Sequence, residues 1–333
     1  MTVNVALIGA GRIARVHAAA YRKVSGGRLT VCTDPAAGTA GRLASDFGLA
    51  TASDVDAVLG DPGIDAVIIA SPNALHPDQT IAALSAGKHV FCQKPIALTV
   101  ADADRVVKHA RESDRVLQFG FMLRFTPPLP ELRRAAAAGE LGSLIAAQAA
   151  IFGWEPVNDW FYDPAQGGGV ILDTLVHFAD FVLWTLGDAV QVYAQGGAYV
   201  LAGARGHRSP DNATVQVTHA SGAVSSLYVS WTAGHGNFRL DVFGAAGHAT
   251  VDLTTGQALS VFRRAEAAGA PPGWTFPDMV WEHGYAGEQQ YFVDRITGTV
   301  DGSLAATPAD ARSALALVIA AQKSLDENRV ITL

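Results

Sequence analysis

Val3-Asn4-Val5-Ala6-Leu7-Ile8-Gly9-Ala10-Gly11-Arg12-Ile13-Ala14 opens the chain and decides its fold. Val3–Ile8 is apolar except at Asn4, the pattern of a strand buried on both faces. Two glycines follow at once, and Arg12–Val24 then has helical character. Strand, glycine turn and helix in that order make the first half of a βαβ unit. Gly9 suits the tight turn, Gly11 lets the backbone approach a pyrophosphate, and Ala14 is small enough for close helix–strand packing. The helix start at Arg12 and Ile13 presents free N–H groups and a positive partial charge to such an anion. Asp34 ends the second strand 23 residues beyond Gly11, where an acidic side chain bonds adenosine ribose hydroxyls. Its carboxylate repels a 2′-phosphate, and Pro35, Ala36 and Ala37 supply no base to offset that. The expected cofactor is NAD in preference to NADP.

Outward from this stretch, strands and helices alternate. Leu29–Thr33, Ile64–Ala70, His89–Cys92 and Val116–Gly120 read as further strands. Pro35–Phe47, Leu75–Ser85 and Thr99–Arg111 read as helices, the last opened by a capping box of Thr99 and Asp102. Short connections between them argue for a parallel, doubly wound sheet. After about residue 121 the pattern changes. Pro127, Pro128 and Pro130 introduce a helix ended by Gly139, and then strand-like runs come close together. Leu144–Phe152, Val190–Tyr193, Ala213–His219, Ala223–Trp231 and Arg239–Phe243 predict a mostly antiparallel sheet, with Ser221-Gly222 as a hairpin turn. The fold class is therefore α/β, with two domains expected over residues 1–121 and 122–333. Gly169–Leu186, Tyr285–Thr297 and Pro308–Asn328 are the helices of the second part, and the last of them is free to pack back on the first domain.

Composition narrows the function. Of 333 residues, 49% are apolar and 17% charged, which supplies a core and excludes a disordered chain. Lys and Arg total 24 against 31 Asp and Glu. Such an acidic balance makes nucleic-acid and membrane-surface partners unexpected. Cys32 and Cys92 are too few for a disulfide framework or a four-thiolate zinc site, so no metal is expected. The start, Met1-Thr-Val-Asn-Val, lacks a basic segment followed by an apolar run, and the expected setting is a reducing cytoplasm.

Two features outside the glycine turn suggest chemistry. Gln93-Lys94-Pro95 follows a strand at its carboxyl end, where doubly wound sheets hold ligands, and Pro95 biases Lys94 towards an extended backbone. Ser71-Pro72-Asn73 ends another strand there, and Asn73 fits either a nicotinamide ribose contact or ordinary turn chemistry. The second feature is the helix after Gly167-Gly168-Gly169. It is apolar nearly all round, yet Asp173, His177 and Asp180 at i, i+4 and i+7 form one polar stripe. Burying an unpartnered carboxylate or imidazole is costly, so the stripe must face something polar. A structural Asp–His pair and a catalytic pair both satisfy that requirement.

Taken together these pieces resemble the Gfo/Idh/MocA family, named for glucose–fructose oxidoreductase, inositol dehydrogenase and rhizopine-catabolism dehydrogenases. The resemblance rests on the Gly9–Ala14 turn, Ser71-Pro72-Asn73 with His76, Gln93-Lys94-Pro95, Gly120-Phe121-Met122-Leu123-Arg124-Phe125, and the Asp173…His177…Asp180 helix. It implies an N-terminal Rossmann domain and a C-terminal α/β domain for substrate binding and oligomerisation, forming homodimers or homotetramers through its sheet. It also implies hydride transfer between a secondary hydroxyl of a sugar, inositol or related polyol and nicotinamide. His177 would then accept the hydroxyl proton, Asp173 would orient the imidazole or bind a neighbouring hydroxyl, and Lys94 would stabilise alkoxide character. The implied cofactor set is Gly9, Gly11, Arg12, Ile13, Asp34, Ser71, Asn73, His76, Gln93 and Lys94. One departure stands out: Gln93 replaces the family's usual Glu and removes a negative charge beside Lys94.

For the substrate, Arg124, Asn158 and His235 are candidate hydroxyl binders, with Asp173 and His177. Trp154 and Trp160, beside Phe152, Phe161 and Tyr162, offer aromatic faces to a sugar, although such clusters are more often core. Two other readings remain beside net oxidoreduction. One is an NAD-dependent glycosidase or lyase that oxidises transiently and returns the hydride. The other is a non-catalytic NAD-binding regulatory protein.

Overall fold

β1 (Val3–Ile8) takes the centre of a six-stranded sheet because nothing along it needs water: Val3, Val5, Ala6 and Leu7 are fully buried. It pairs in parallel with β2 (Gly27–Thr33) and β4 (Ala66–Ile69). β3 (Ala50–Thr51) forms one edge, and β5 (His89–Gln93) and β6 (Leu117–Gly120) complete the other side. The order is β3-β2-β1-β4-β5-β6, with every pairing parallel. The computed structural model describes residues 2–153, 156, 159–163, 165–201, 209–234, 236–252, 258–266, 269–279 and 283–333.

Helices α1 (Arg12–Ala20), α2 (Ala37–Phe47), α3 (Val55–Gly60), α4 (His76–Ser85) and α5 (Val100–Arg111) connect these strands. α1 is shorter than its sequence pattern, because Tyr21–Lys23 tightens into a 3-10 turn. Thr99 caps α5 as expected, its Oγ1 accepting the Asp102 N–H at 3.1 Å. The chain forms two compact units, one of Met1–Phe125 with His283–Arg312, the other of Thr126–Glu282 with Ser313–Leu333.

The second unit carries α6 (Pro128–Ala137), α7 (Val176–Leu186) and nine strands. These are β7 (Leu144–Phe152), β8 (Ala189–Gly197), β9 (Asn212–His219), β10 (Val224–Ser230), β11 (Asn237–Gly244), β12 (Gly247–Asp252), β13 (Leu259–Arg263), β14 (Gly273–Thr275) and β15 (Ile331–Thr332). Their order is β14-β13-β12-β11-β7-β10-β9-β8-β15. Among the described residues only β7 and β10 run parallel, so the sheet is mostly antiparallel, as its closely spaced runs predict. Alternation sets its faces. Ala147, Ala149 and Ile151 of β7 are buried with Leu227 and Val229 of β10, and Phe178 of α7 meets Phe238 of β11 at 5.4 Å. On the other face Val224 and Tyr228 are exposed, and Ile145 is exposed at the start of β7. Helix α8 (Tyr285–Ile296) lies in the first unit, and α9 (Pro308–Glu327) closes the helical series.

A buried charge ties α6 to the sheet. Glu140 is 2% exposed and accepts from the Arg263 Nε at 2.9 Å, while the Arg134 Nη1 stands 3.0 Å away. Burial alone would raise this carboxyl; the two guanidinium groups outweigh it and hold it below the usual range. A carboxyl depressed in the fold stabilises at pH values above its unfolded pKa of about 4.3, and the gain fades as pH falls through its folded value. Glu140→Gln leaves Arg263 buried without its counter-charge and is expected to cost about 3 kcal/mol at pH 7. Urea melts at pH 7 and pH 4 check this, the gap between parent and variant narrowing at the lower pH.

Candidate functional site

In the first unit, the turn after β1 has the features a dinucleotide requires. Gly9 adopts φ +96°, and a Cβ there would come within 2.7 Å of the Ala70 carbonyl oxygen. No side chain but hydrogen fits. A Cβ on Gly11, by contrast, would meet nothing within 4 Å, so its backbone is open to an approaching group. Gly11 is also the N-cap of α1, no side chain caps the helix, and its first turn holds no acidic residue. The N–H groups around Arg12 and Ile13 therefore keep their attraction for an anion.

Asp34 is held from two sides. Its Oδ2 accepts the Ala10 N–H and its Oδ1 the Ala36 N–H, both at 2.9 Å. A carboxylate has about four lone-pair sites, so two remain for a pair of ribose hydroxyls. Open glycine backbone, uncapped helix start and oriented carboxylate together fit NAD. Asp34→Ser should raise the ratio of NADP to NAD efficiency by about tenfold or more, since a repelling charge is removed. Steady-state kinetics with both cofactors tests this, and an unchanged ratio would remove Asp34 from the site.

The loops after β4 and β5 lie at the same carboxyl edge of the sheet. Ser71 bonds Gln79 through its hydroxyl at 2.6 Å, and Asn73 is 4% exposed. Lys94 is half-buried directly after β5, and its bond to Pro95 is cis. Three expected ligand groups have partners within the protein. His76 is fully buried, with Nδ1 2.8 Å from the Pro95 carbonyl oxygen and Nε2 3.0 Å from that of Ser71. The amide of Gln93 is directed at His17 of α1, nitrogen to Nε2 at 2.5 Å. Arg124 is 2% exposed and stands 3.5 Å from the Asp310 carboxylate.

In the second unit, the expected continuous helix over 169–186 is different in its first turns. Ile171–Leu175 is a π-helical segment, and regular α-helix begins at Val176. A π turn takes one more residue than an α turn and often marks functional sites. Asp173 lies in this widened turn and His177 in the first turn of α7; both are half-buried, while Asp180 is 1% exposed. The side chain of Thr174 accepts the buried Trp231 indole N–H at 2.8 Å and stands 3.5 Å from the Asp173 Oδ2. Tyr162 packs edge-on against Trp231 at 5.1 Å, which steadies the approach to the helix. Trp160 stacks on Phe161 with centroids 3.8 Å apart. Trp154, Asn158 and His235 lie outside the described residues. Among the described residues no group of three or more His, Cys, Asp or Glu could hold a metal ion, and no helix is long and apolar enough to cross a membrane.

Several polar residues in each unit escape a sequence reading. His17, Gln289, Thr174 and Trp231 occur as ordinary helix and strand residues, and their partners are far along the chain. Glu288 of α8 is another: it is fully buried, its carboxyl oxygens have no partner among the described residues, and burial raises its titration well above the usual range.

These features define an oxidoreductase with a dinucleotide-binding domain. Residues 3–121 match the profile described as "Oxidoreductase family, NAD-binding Rossmann fold", and residues 130–250 match the Gfo/Idh/MocA C-terminal domain. The chain belongs to the Gfo/Idh/MocA family and is an NAD-binding oxidoreductase. It is 31% identical over 253 residues to scyllo-inositol 2-dehydrogenase (NAD+) of Bacillus subtilis, covering 74% of this chain and 72% of that one. It is 38% identical over 186 residues to 1,5-anhydro-D-fructose reductase of Ensifer adhaerens, a match spanning 55% of this chain and 56% of that protein. GenD2 from gentamicin A biosynthesis, solved in complex with NAD, superposes with a TM-score of 0.87 at 25% identity, over all of this chain and 96% of the other.

Proposed function

We propose that the chain oxidises a secondary hydroxyl of a ring sugar, inositol or related polyol, with Lys94, Asp173 and His177 as its acid–base groups. The observation that carries this reading is His177, half-buried one turn beyond Asp173 on a helix whose neighbouring Val176, Phe178, Ala179 and Phe181 are buried. An imidazole titrates near neutral pH and suits the removal of a hydroxyl proton. Asp173 supports that ring or takes a neighbouring hydroxyl, with Thr174 and Trp231 fixing its turn. Lys94, at the carboxyl end of β5, donates to the reacting oxygen and offsets its developing negative charge.

NAD, held by Gly9, Gly11, Arg12, Ile13 and Asp34 with Asn73 nearby on the same edge, supplies the hydride acceptor. Trp160 and Phe161 offer a stacked aromatic surface suited to a sugar ring. A ring substrate also agrees with the names of two relatives, an inositol dehydrogenase and an anhydrofructose reductase. The test is NADH formation across inositols, aldoses and 1,5-anhydro sugars. At least one is expected to reduce NAD. A chain that retains NAD tightly, forms no net NADH and cleaves glycosides would instead be a transient oxidiser.

We infer homodimers or homotetramers formed through the second sheet, on whose outer face the apolar Val224 and Tyr228 are exposed. Light scattering would show a monomer if that inference fails. Cys32 and Cys92 are both free and buried, which fits the reducing cytoplasm proposed for the chain.

A further inference from the structure

Lys94 sits between two residues that are each gripped by a buried histidine. On one side, the amide of Gln93 lies 2.5 Å from His17 Nε2, and the amide nitrogen of Gln289 lies 3.0 Å from His17 Nδ1. On the other, the Pro95 carbonyl oxygen lies 2.8 Å from His76 Nδ1, and the ring's second nitrogen reaches Ser71. Both imidazoles are fully buried. We propose that His17 and His76 are positioning residues for Lys94, a brace that fixes the backbone before and after it. This rests on the reading of Lys94 as a catalytic group.

The geometry is more specific than that of two core histidines. A Cβ on Gly120 would stand 2.8 Å from the Gln93 amide nitrogen, so the bare β6 backbone leaves the room in which that amide reaches His17. His17 comes from α1, whose first turn is the proposed pyrophosphate site, and Gln289 from α8. The contact thus registers the lysine-bearing strand end against the cofactor helix. Ser71 begins the turn that carries Asn73, so His76 joins the two ligand-bearing loops at the sheet edge.

The electrostatics suit a brace and not a proton donor. Burial lowers His17 to about 3, so its ring is neutral at working pH. A neutral ring has one N–H and one lone pair, so a hydrogen bond on both sides requires one of the two amides, each placed with its nitrogen towards the ring, to be turned to present its oxygen. Burial, helped by the Lys94 charge, also lowers His76, against the two carbonyls that favour its proton. His76 donates to the Pro95 or the Ser71 carbonyl from whichever ring nitrogen carries hydrogen, and to both only when protonated.

The variants are His17→Phe and His76→Phe, which keep ring bulk, and His17→Gln and His76→Gln, which restore one hydrogen bond. Each is made in the parent and in Lys94→Met, with the most active polyol of the panel as substrate. A displacement of about 1 Å at a reacting group can cost ~100-fold, so the Phe variants are expected to lose tenfold or more in kcat. NADH affinity should stay within about twofold, the Gln variants should recover part of the loss, and in Lys94→Met the same changes should cost less than about twofold. Equal losses in both backgrounds would make the histidines merely structural, and weakened NADH binding in step with kcat would make His76 a cofactor ligand; either overturns the brace. Full activity of Lys94→Met would instead defeat the catalytic reading itself.

A second readout needs neither substrate nor the Phe variants. The chain has five lysines, Lys23, Lys88, Lys94, Lys108 and Lys323. After reductive 13C-methylation, the Lys94 resonance is identified by its loss in Lys94→Met. It should stand apart from the solvent-lysine position in the parent and move towards it in His17→Gln and His76→Gln. An unmoved resonance would overturn the brace.

Discussion

His177→Ala is expected to lower kcat by about 10²–10⁴ while NADH still binds, because general-base catalysis contributes on that scale and the cofactor groups are elsewhere. His177 stands in the first turn of α7, with Val176, Phe178 and Ala179 around it in the core. Alanine removes the imidazole without adding bulk or charge, so the helix should persist and melting should change little. The sharper check is the pH profile. In the parent, kcat/KM should fall on the acid side as the base takes up a proton; in His177→Ala that limb should disappear. Asp173→Asn separates the two roles open to the carboxylate. If it orients the imidazole, kcat falls with little change in KM, whereas a hydroxyl contact would show as a raised KM. Full activity of His177→Ala would refute the base assignment.

Lys94→Met is the second large effect, with an expected loss of about 10²–10³ in kcat. Methionine keeps an unbranched stem of similar length and deletes the charge and the donors. Since a donor to the reacting oxygen acts on charge that develops in the transition state, kcat and kcat/KM should fall together. NADH titration should be nearly unchanged, because the turn at Gly9–Gly11 and Asp34 remains intact. Lys94→Arg is not a mild substitute: a planar guanidinium on a longer stem places its donors elsewhere, and most of the loss should persist.

The parallel sheet was legible because its strands are buried on both faces. Val3–Ile8 and Ile64–Ala70 have no alternation to misread, and the glycines between strand and helix mark the turn. The strands beyond residue 244 were not. β14 spans only Gly273–Thr275 and β15 only Ile331–Thr332, too short for any period to emerge. The π turn at Ile171–Leu175 was invisible because it depends on hydrogen-bond register, while the apolar pattern of the segment reads equally as α-helix. At the site, residues whose chemistry is local to a turn, Gly9, Gly11 and Asp34, occur where the motif places them. The contacts that His76 and Gln93 make within the protein were not legible. Their partners show why: His17 is 76 positions from Gln93, and Gln289 is 272 from His17. Linear order carries no sign of such meetings, nor that His283–Arg312 rejoins the first unit.

The double grip on Asp34 bears on any redesign of coenzyme preference. The carboxylate proposed to discriminate between adenosine riboses also holds the Ala10 N–H in the turn after β1 and the Ala36 N–H at the bend that follows. Recognition and scaffolding are therefore inseparable at this position, and swapping the charge for a small neutral group loosens the loop as it widens the choice. A successful conversion needs two changes at once: an uncharged acceptor such as Asn in place of Asp34, and a cation grafted at Pro35 or Ala36 to meet the extra phosphate.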